Sequence, residues 1–164
     1  MTAPQRPSAI VSATPRPPVK ITTRWSHDLA LINNAVGDRA VMLDGQSKDG
    51  QSPPEALLSA LTSCTMVDII EILKKKRTPA ERAECRTSGE RFPGVPARFI
   101  AITLEYHIDG ANITETAAEH AIDLAVNKYC TVRDSLDPRM IITTKLVLNG
   151  TAHAEKDASR RPGV

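Results

Sequence analysis

The residues of this sequence with the clearest chemical potential are its three cysteines, Cys64, Cys85 and Cys130. A cysteine is a nucleophile only as its thiolate, which requires a nearby cation or an aimed hydrogen bond, whereas a thiol in apolar surroundings is inert. Cysteine is also among the most buried residue types, so about three in four such residues, judged by type alone, are packing residues. If the chain has thiol chemistry, we expect it at Cys64 and Cys130. Cys85, on a predicted strand, has no partner signature.

Other chemistries have little support from residue types and spacing. His107 and His120 match no zinc pattern with the cysteines, and each lies where a solvated strand or helix face is expected. No strand–G-x-S-x-G–helix elbow of a serine hydrolase is present. We therefore predict no metal and no bound cofactor.

Cys64 lies at the middle of residues 52–77, SPPEALLSALTSCTMVDIIEILKKKR, which predict one long helix. Ser52 is a natural N-cap, the two following prolines fit the first turn, and Glu55 complements the helix dipole. Four basic residues complement the other end, and Pro79 prevents much further helix.

The predicted helix is apolar around nearly its whole circumference, which is typical of a central helix wrapped by other elements or by a second subunit. A membrane span is disfavoured, because six polar or charged residues interrupt the apolar run. These are Ser59, Thr62, Ser63, Thr65, Asp68 and Glu71.

Composition favours a single domain with a real core, since the chain has 164 residues and 41% apolar content. The net charge of +2 and the small number of aromatic residues (one Trp, two Tyr, two Phe) give nucleic-acid binding little support. An odd number of cysteines without an apolar N-terminal segment indicates a cytoplasmic protein rather than a secreted disulfide framework.

The remaining pattern predicts an α+β fold with a flexible arm at 1–18, one domain at 19–149 and a flexible tail at 150–164. On the strand at 98–108, alternation puts the even-numbered residues, among them Tyr106, on the core face. The predicted elements are strands at 19–25, 29–36 and 40–43, the long helix, strands at 84–92 and 98–108, a helix at 114–129 and a strand at 139–148.

The long cysteine-bearing helix and the later motif VNKYCTV together resemble the OsmC/Ohr family of peroxide-handling proteins, most closely its YhfA-like branch. The resemblance covers about residues 20–149. It implies an intertwined homodimer in which two central helices pack against antiparallel sheets contributed by both chains. It also implies reduction of small organic hydroperoxides at the subunit interface, with an unidentified dithiol as reductant.

The resemblance assigns roles to individual residues. Cys64 matches the peroxidatic cysteine, which becomes a sulfenic acid, and Cys130 matches the resolving cysteine, which condenses with it to a disulfide. Glu55 matches the glutamate that holds an arginine over the reactive thiol. Arg39, in the N-terminal strands, is the first candidate for that arginine, and Arg24 is the second.

Helical geometry adds two expectations about this site. Glu55 and Cys64 are nine residues apart, about 900° of helical rotation, so they lie on opposite faces of the helix and need a bridging arginine or the other subunit to cooperate. Asp68 follows Cys64 by one turn on the same face. It either holds a cation or donor, or argues against a permanently ionised thiol at Cys64, or is a buried polar group satisfied at the subunit interface.

A further expectation concerns the thiol at the end of the second helix. Cys130 is predicted beside a helix C-terminus, where the dipole disfavours thiolate, so it suits the second step of the reaction.

Two functions from different classes follow. The first is a two-cysteine thiol peroxidase. The second is a non-catalytic dimer that keeps the fold and binds a small apolar ligand or senses redox state.

Overall fold

The computed structural model describes residues 17–37 and 39–159, which fall into two compact units divided at Pro53 and Pro54. Apart from residues 17 and 18, the predicted N-terminal arm lies outside the described residues. Each unit has its own sheet.

The N-terminal unit is an antiparallel meander of β1 (Ile21–His27), β2 (Ala30–Ala35) and β3 (Ala40–Asp44). It ends in a turn organised by Asp44, whose buried carboxylate accepts hydrogen bonds from the backbone amides of Gln46, Lys48 and Asp49. These bonds, first of all the one from Gln46, hold the pKa of Asp44 below its usual value. The polar segment before the long helix is thus a hydrogen-bonded turn.

The long helix is α1 (Pro53–Lys75), 23 residues long and bounded close to the predicted ends. Within one chain it buries a single stripe, Leu61, Thr65, Ile69 and Leu73, spaced four residues apart. Other apolar side chains of the helix stay exposed, including Val67 at 61% and Ile70 at 42%. By length and composition α1 is also apolar enough to cross a membrane, and 22% of its most apolar window is buried.

The second unit contains a mixed sheet and one hydrophobic core. The strands are β4 (Arg82–Arg91), β5 (Phe99–Asp109), β6 (Ile141–Leu148), β7 (Thr151–Ala152) and β8 (Lys156–Asp157). They follow the order β4-β5-β6-β7, and β8 also pairs with β6. The even-numbered residues of β5 face the core as predicted, where they meet the buried sides of α1 and α2 (Glu115–Leu124).

The α+β fold class is confirmed, and the structure adds one parallel pairing. β4 and β5 form the predicted antiparallel pair, but β6 runs parallel to β5. The reason is the helical crossover between them, since parallel neighbours need a connection of a dozen or more residues. Thr114 caps the start of α2 by accepting a hydrogen bond from the amide of Ala117.

The end of the second predicted helix is irregular. The helix turns into a π-helical segment, Ala125–Tyr129, and after Cys130 a short helix α3 (Thr131–Asp134) follows. The sequence predicts a flexible tail at 150–164, but the described part of that segment, up to residue 159, pairs with the sheet. Residues 151–157 add β7 and β8 to the sheet, and Ala158 is buried and donates its amide to Ile142 O at 2.8 Å.

Candidate active site

The structure brings Cys64 and Cys130 together. Cys64 lies half-buried on α1, next to the buried stripe, and packs against the core. Cys130 is buried at the junction between the π-helical segment and α3. Both are free thiols, and the Cys64 side chain lies close enough to Cys130 to raise the pKa of its thiol. The two residues chosen as chemistry candidates are therefore direct neighbours in three dimensions.

The environment of Cys130 keeps its thiol protonated. Burial is the main cause that raises the pKa of Cys130 well above its usual range, and the neighbouring Cys64 thiol raises it further. The backbone amide of Arg133 opposes this shift by donating to Cys130 Sγ at 3.2 Å. The expected helix C-terminus beside Cys130 is confirmed, because Cys130 is the C-cap residue of the π-helical segment. Cys130 is also the N-cap residue of α3, and burial is the main cause of its raised pKa.

A buried hydrogen bond anchors α1 beside the two thiols. Tyr106 on β5 donates its hydroxyl to Thr65 Oγ1 at 2.8 Å, and that hydroxyl donates to Thr62 O at 3.0 Å. Neither Tyr106 nor Thr65 is exposed, and burial raises the pKa of Tyr106. Because Thr65 directly follows Cys64, this bond fixes the height and rotation of the cysteine over the sheet.

Arg133 occupies the other side of Cys130. Its guanidinium is almost entirely buried, with 2% of the residue exposed, and Nη2 donates to Ser159 O at 3.2 Å. A pocket of about 20 Å³ lies here, lined by Cys130, Arg133 and Asn127 among others.

The third cysteine has a hydrogen-bond partner outside this pair. Cys85 lies on β4, directly across from Tyr106, and its Sγ is 3.6 Å from the hydroxyl of Thr87. Burial raises the pKa of Cys85 to about 11, against the lowering effect of the Thr87 bond.

Of the remaining site candidates, Glu55 and Asp68 lie on α1 and Arg39 lies in the N-terminal unit. Glu55 is exposed in the first turn of α1, about 14 Å along the axis from Cys64 at 1.5 Å per residue. Arg39 is exposed in the N-terminal unit, where Nε and Nη2 donate to Val36 O at 3.2 and 2.8 Å. Asp68 is half-buried one turn after Cys64. The roles given to Glu55 and Arg39 stay predictions.

Among residues 17–37 and 39–159, no three His, Cys, Asp or Glu side chains are grouped so that they could hold a metal ion. His107 instead lies 2.6 Å from Glu105, through Nε2 and Oε1, on the outer face of β5.

Comparison with known proteins assigns this sequence to a family. Residues 45–145 match the family described as OsmC-like protein. The chain belongs to the OsmC-like family. Protein YhfA of Escherichia coli K12 is 30% identical to it over 121 residues, which are 73% of this chain and 90% of YhfA. The family match over residues 45–145 includes α1, both cysteines of the pair and the strands β4 and β5.

Solved structures share the OsmC-like fold at low sequence identity. An OsmC-like protein from Mycoplasma pneumoniae superposes with a TM-score of 0.70 at 19% identity, covering 80% of this chain and 97% of that one. An organic hydroperoxide resistance protein OsmC from Legionella pneumophila superposes with a TM-score of 0.57 at 11% identity, covering 82% and 98%.

Three residues of this OsmC-like site were not identified as site residues from the sequence. Tyr106 was placed on the core face, but its hydroxyl partner Thr65 was read only as an interruption of the apolar helix. Arg133 carried no signal in the periodicity. The available clue was its position three residues after Cys130, which is the N-cap spacing at which an amide bonds the capping side chain.

Proposed function

We propose that the protein is a two-cysteine thiol peroxidase that reduces organic hydroperoxides. The observation that supports this most strongly is that two reduced thiols, far apart in sequence, lie close enough together for Cys64 to raise the pKa of Cys130. Membership of the OsmC-like family and the fold shared with an organic hydroperoxide resistance protein support organic hydroperoxides as the substrate class.

The reaction assigns different steps to the two cysteines. The sulfur of Cys64 attacks the terminal oxygen of the hydroperoxide, so that an S–O bond forms and the O–O bond breaks, and the departing alkoxide takes the Cys64 thiol proton and leaves as the alcohol. Cys130 then attacks the sulfenic sulfur of Cys64. An S–S bond forms, the S–O bond breaks, and the leaving hydroxide takes the thiol proton as water. An external dithiol reduces the disulfide, and we propose the cytoplasm as the compartment that supplies it.

The raised pKa of Cys130 fits the second step. A protonated thiol does not compete for the peroxide, yet it can supply the proton that converts the leaving hydroxide into water.

We propose a homodimer as the working form. A soluble protein rarely exposes so apolar a helix face as the one on α1 that carries Val67 and Ile70. Cys64 lies half-buried on this helix, so a second chain over it would complete an enclosed pocket for the substrate. Sedimentation at micromolar concentration should give a dimer of the 17.8 kDa chain, and a stable monomer would contradict the proposal.

Single turnover with cumene hydroperoxide tests the mechanism. One equivalent added to the reduced protein should produce a Cys64–Cys130 disulfide, seen by mass spectrometry of non-reduced peptides. Cys64→Ser should abolish the first step. Cys130→Ser should consume one equivalent and accumulate a sulfenic acid on Cys64, trapped by dimedone.

Cys85→Ser is the matched control and should behave as wild type, because Cys85 bonds to Thr87 rather than to the thiol pair. A disulfide that forms through Cys85 would overturn the assignment. Stoichiometric oxidation without dithiol-dependent turnover would instead favour a non-catalytic redox sensor or ligand-binding dimer.

A further inference from the structure

We propose that Arg133 is a positioning residue for the resolving cysteine, and that it acts by tying the Cys130 turn to the C-terminal segment Lys156–Ser159. The inference rests on the two-cysteine mechanism proposed above. It adds a specific residue, and a part of the chain outside the thiol pair, to that mechanism.

The first observation is that Arg133 holds Cys130 and the C-terminal segment at once. Its backbone amide donates to Cys130 Sγ, and its guanidinium Nη2 donates to Ser159 O, both at 3.2 Å. One residue therefore links the direction of the thiol to the position of a backbone carbonyl that is distant in sequence.

The second observation is that the acceptor of Arg133 is itself fixed to the sheet. Ser159 Oγ accepts from the amide of Ile142 at 2.9 Å, and Ser159 N donates to Asp157 Oδ1 at 2.8 Å. Lys156 and Asp157 pair with Thr144 and Thr143 of β6. Arg133 thus connects the Cys130 turn to the central part of the sheet through this segment.

Energetics argue that the arginine does more than fill space. Burying a guanidinium costs free energy that an apolar side chain of similar volume avoids, and such replacements are often neutral or stabilising. The arginine is useful because disulfide formation requires a specific geometry of the two sulfur atoms. A disulfide needs an S–S distance of about 2.05 Å and a dihedral of about 90°. A thiol that is held in the required direction therefore forms the disulfide faster than a thiol on a flexible turn.

The test separates the two chemical steps in single turnover. Arg133→Met should leave the rate of Cys64 oxidation unchanged, measured as consumption of cumene hydroperoxide. Disulfide closure should slow on the order of tenfold or more, so that a dimedone-reactive sulfenic acid accumulates on Cys64. Arg133→Lys, which keeps one charged donor without the planar fork, should recover part of the closure rate.

Arg139→Met is the matched control, because Arg139 is 84% exposed and pairs with Asp137 at the surface. It should leave both steps at wild-type rates. Ser159→Ala provides a second route if Arg133→Met fails to fold. It removes the bonds that fix Ser159 to Ile142 while leaving Arg133 in place, and it should also slow closure alone.

Each outcome decides the proposal. Selective loss of closure in Arg133→Met or Ser159→Ala supports it. Equal slowing of both steps would show a merely structural role, and unchanged closure would show none; either result overturns the proposal while the two-cysteine mechanism stands. A wild-type protein that forms no Cys64–Cys130 disulfide would overturn both.

Discussion

The hydrogen bond between Tyr106 and Thr65 offers a quantitative test of how α1 is held over the sheet. Tyr106→Phe removes one buried bond, while Thr65 Oγ1 keeps its donation to Thr62 O, so the loss should be about 1 kcal/mol. Thr65→Val leaves the tyrosine hydroxyl buried without its acceptor, which should cost about 1–3 kcal/mol. The double variant leaves no orphaned hydroxyl. It should therefore lose less than the sum of the singles, by about 1 kcal/mol or more.

Urea unfolding under reducing conditions measures these free energies of unfolding, and all variants must be compared at one protomer concentration because a dimer's stability depends on it. Pairing Tyr106→Phe with Thr103→Val, on the opposite face of β5, should give additive losses. If the Tyr106–Thr65 pair is also additive to within about 0.5 kcal/mol, the bond does not fix α1 and the reasoning fails.

Three further results are expected. In a Cys64→Ser, Cys130→Ser chain, alkylation of Cys85 should rise about tenfold per pH unit between about pH 8 and 10, since its pKa is raised to about 11. In the unfolded chain the pKa of Cys85 is near 8.5. The stabilisation that comes from its raised pKa in the folded chain is therefore complete below about pH 8.5 and is lost as the pH rises towards 11. A free energy of unfolding that does not change with pH in this range would contradict the raised pKa. Deleting residues 151–164 removes β7, β8 and buried Ala158 and should lower the melting temperature by more than about 5 °C in a thermal scan, whereas an unchanged value would show that this segment is dispensable. Val67→Asp on the exposed face of α1 should dissociate the proposed dimer in sedimentation, while Thr116→Asp, exposed on α2, should not; a dimer that survives the first change rules out this face as the interface.

Elements with strong local patterns were predictable. The period-two alternation of β5 placed Leu104 and Tyr106 on the core face, because only one face of this strand packs under the helices. The ends of α1 followed from its prolines and its terminal charges, which act within a single helical turn.

Features that depend on contacts distant in sequence were not predictable from local pattern. The thiol pair was linked beforehand only by family resemblance, since nothing in the spacing of Cys64 and Cys130 places them together. β7 and β8 have two residues each, too few to show alternation, so this segment read as a polar tail. Arg133 belongs to no apolar pattern in the sequence, and its burial and its bond to Ser159 O depend on the fold.

The parallel placement of β6 beside β5 bears on how the chain is made. β5 leaves the ribosome well before β6 and, until residues 141–148 emerge, one of its long edges has no partner. An unpaired apolar edge is a template for aggregation, and non-local parallel pairing is slow. Chains stalled or cleaved between α2 and β6 should therefore be prone to aggregation and recognised by chaperones. The risk of aggregation during synthesis should therefore fall once β6 is made and pairs with β5.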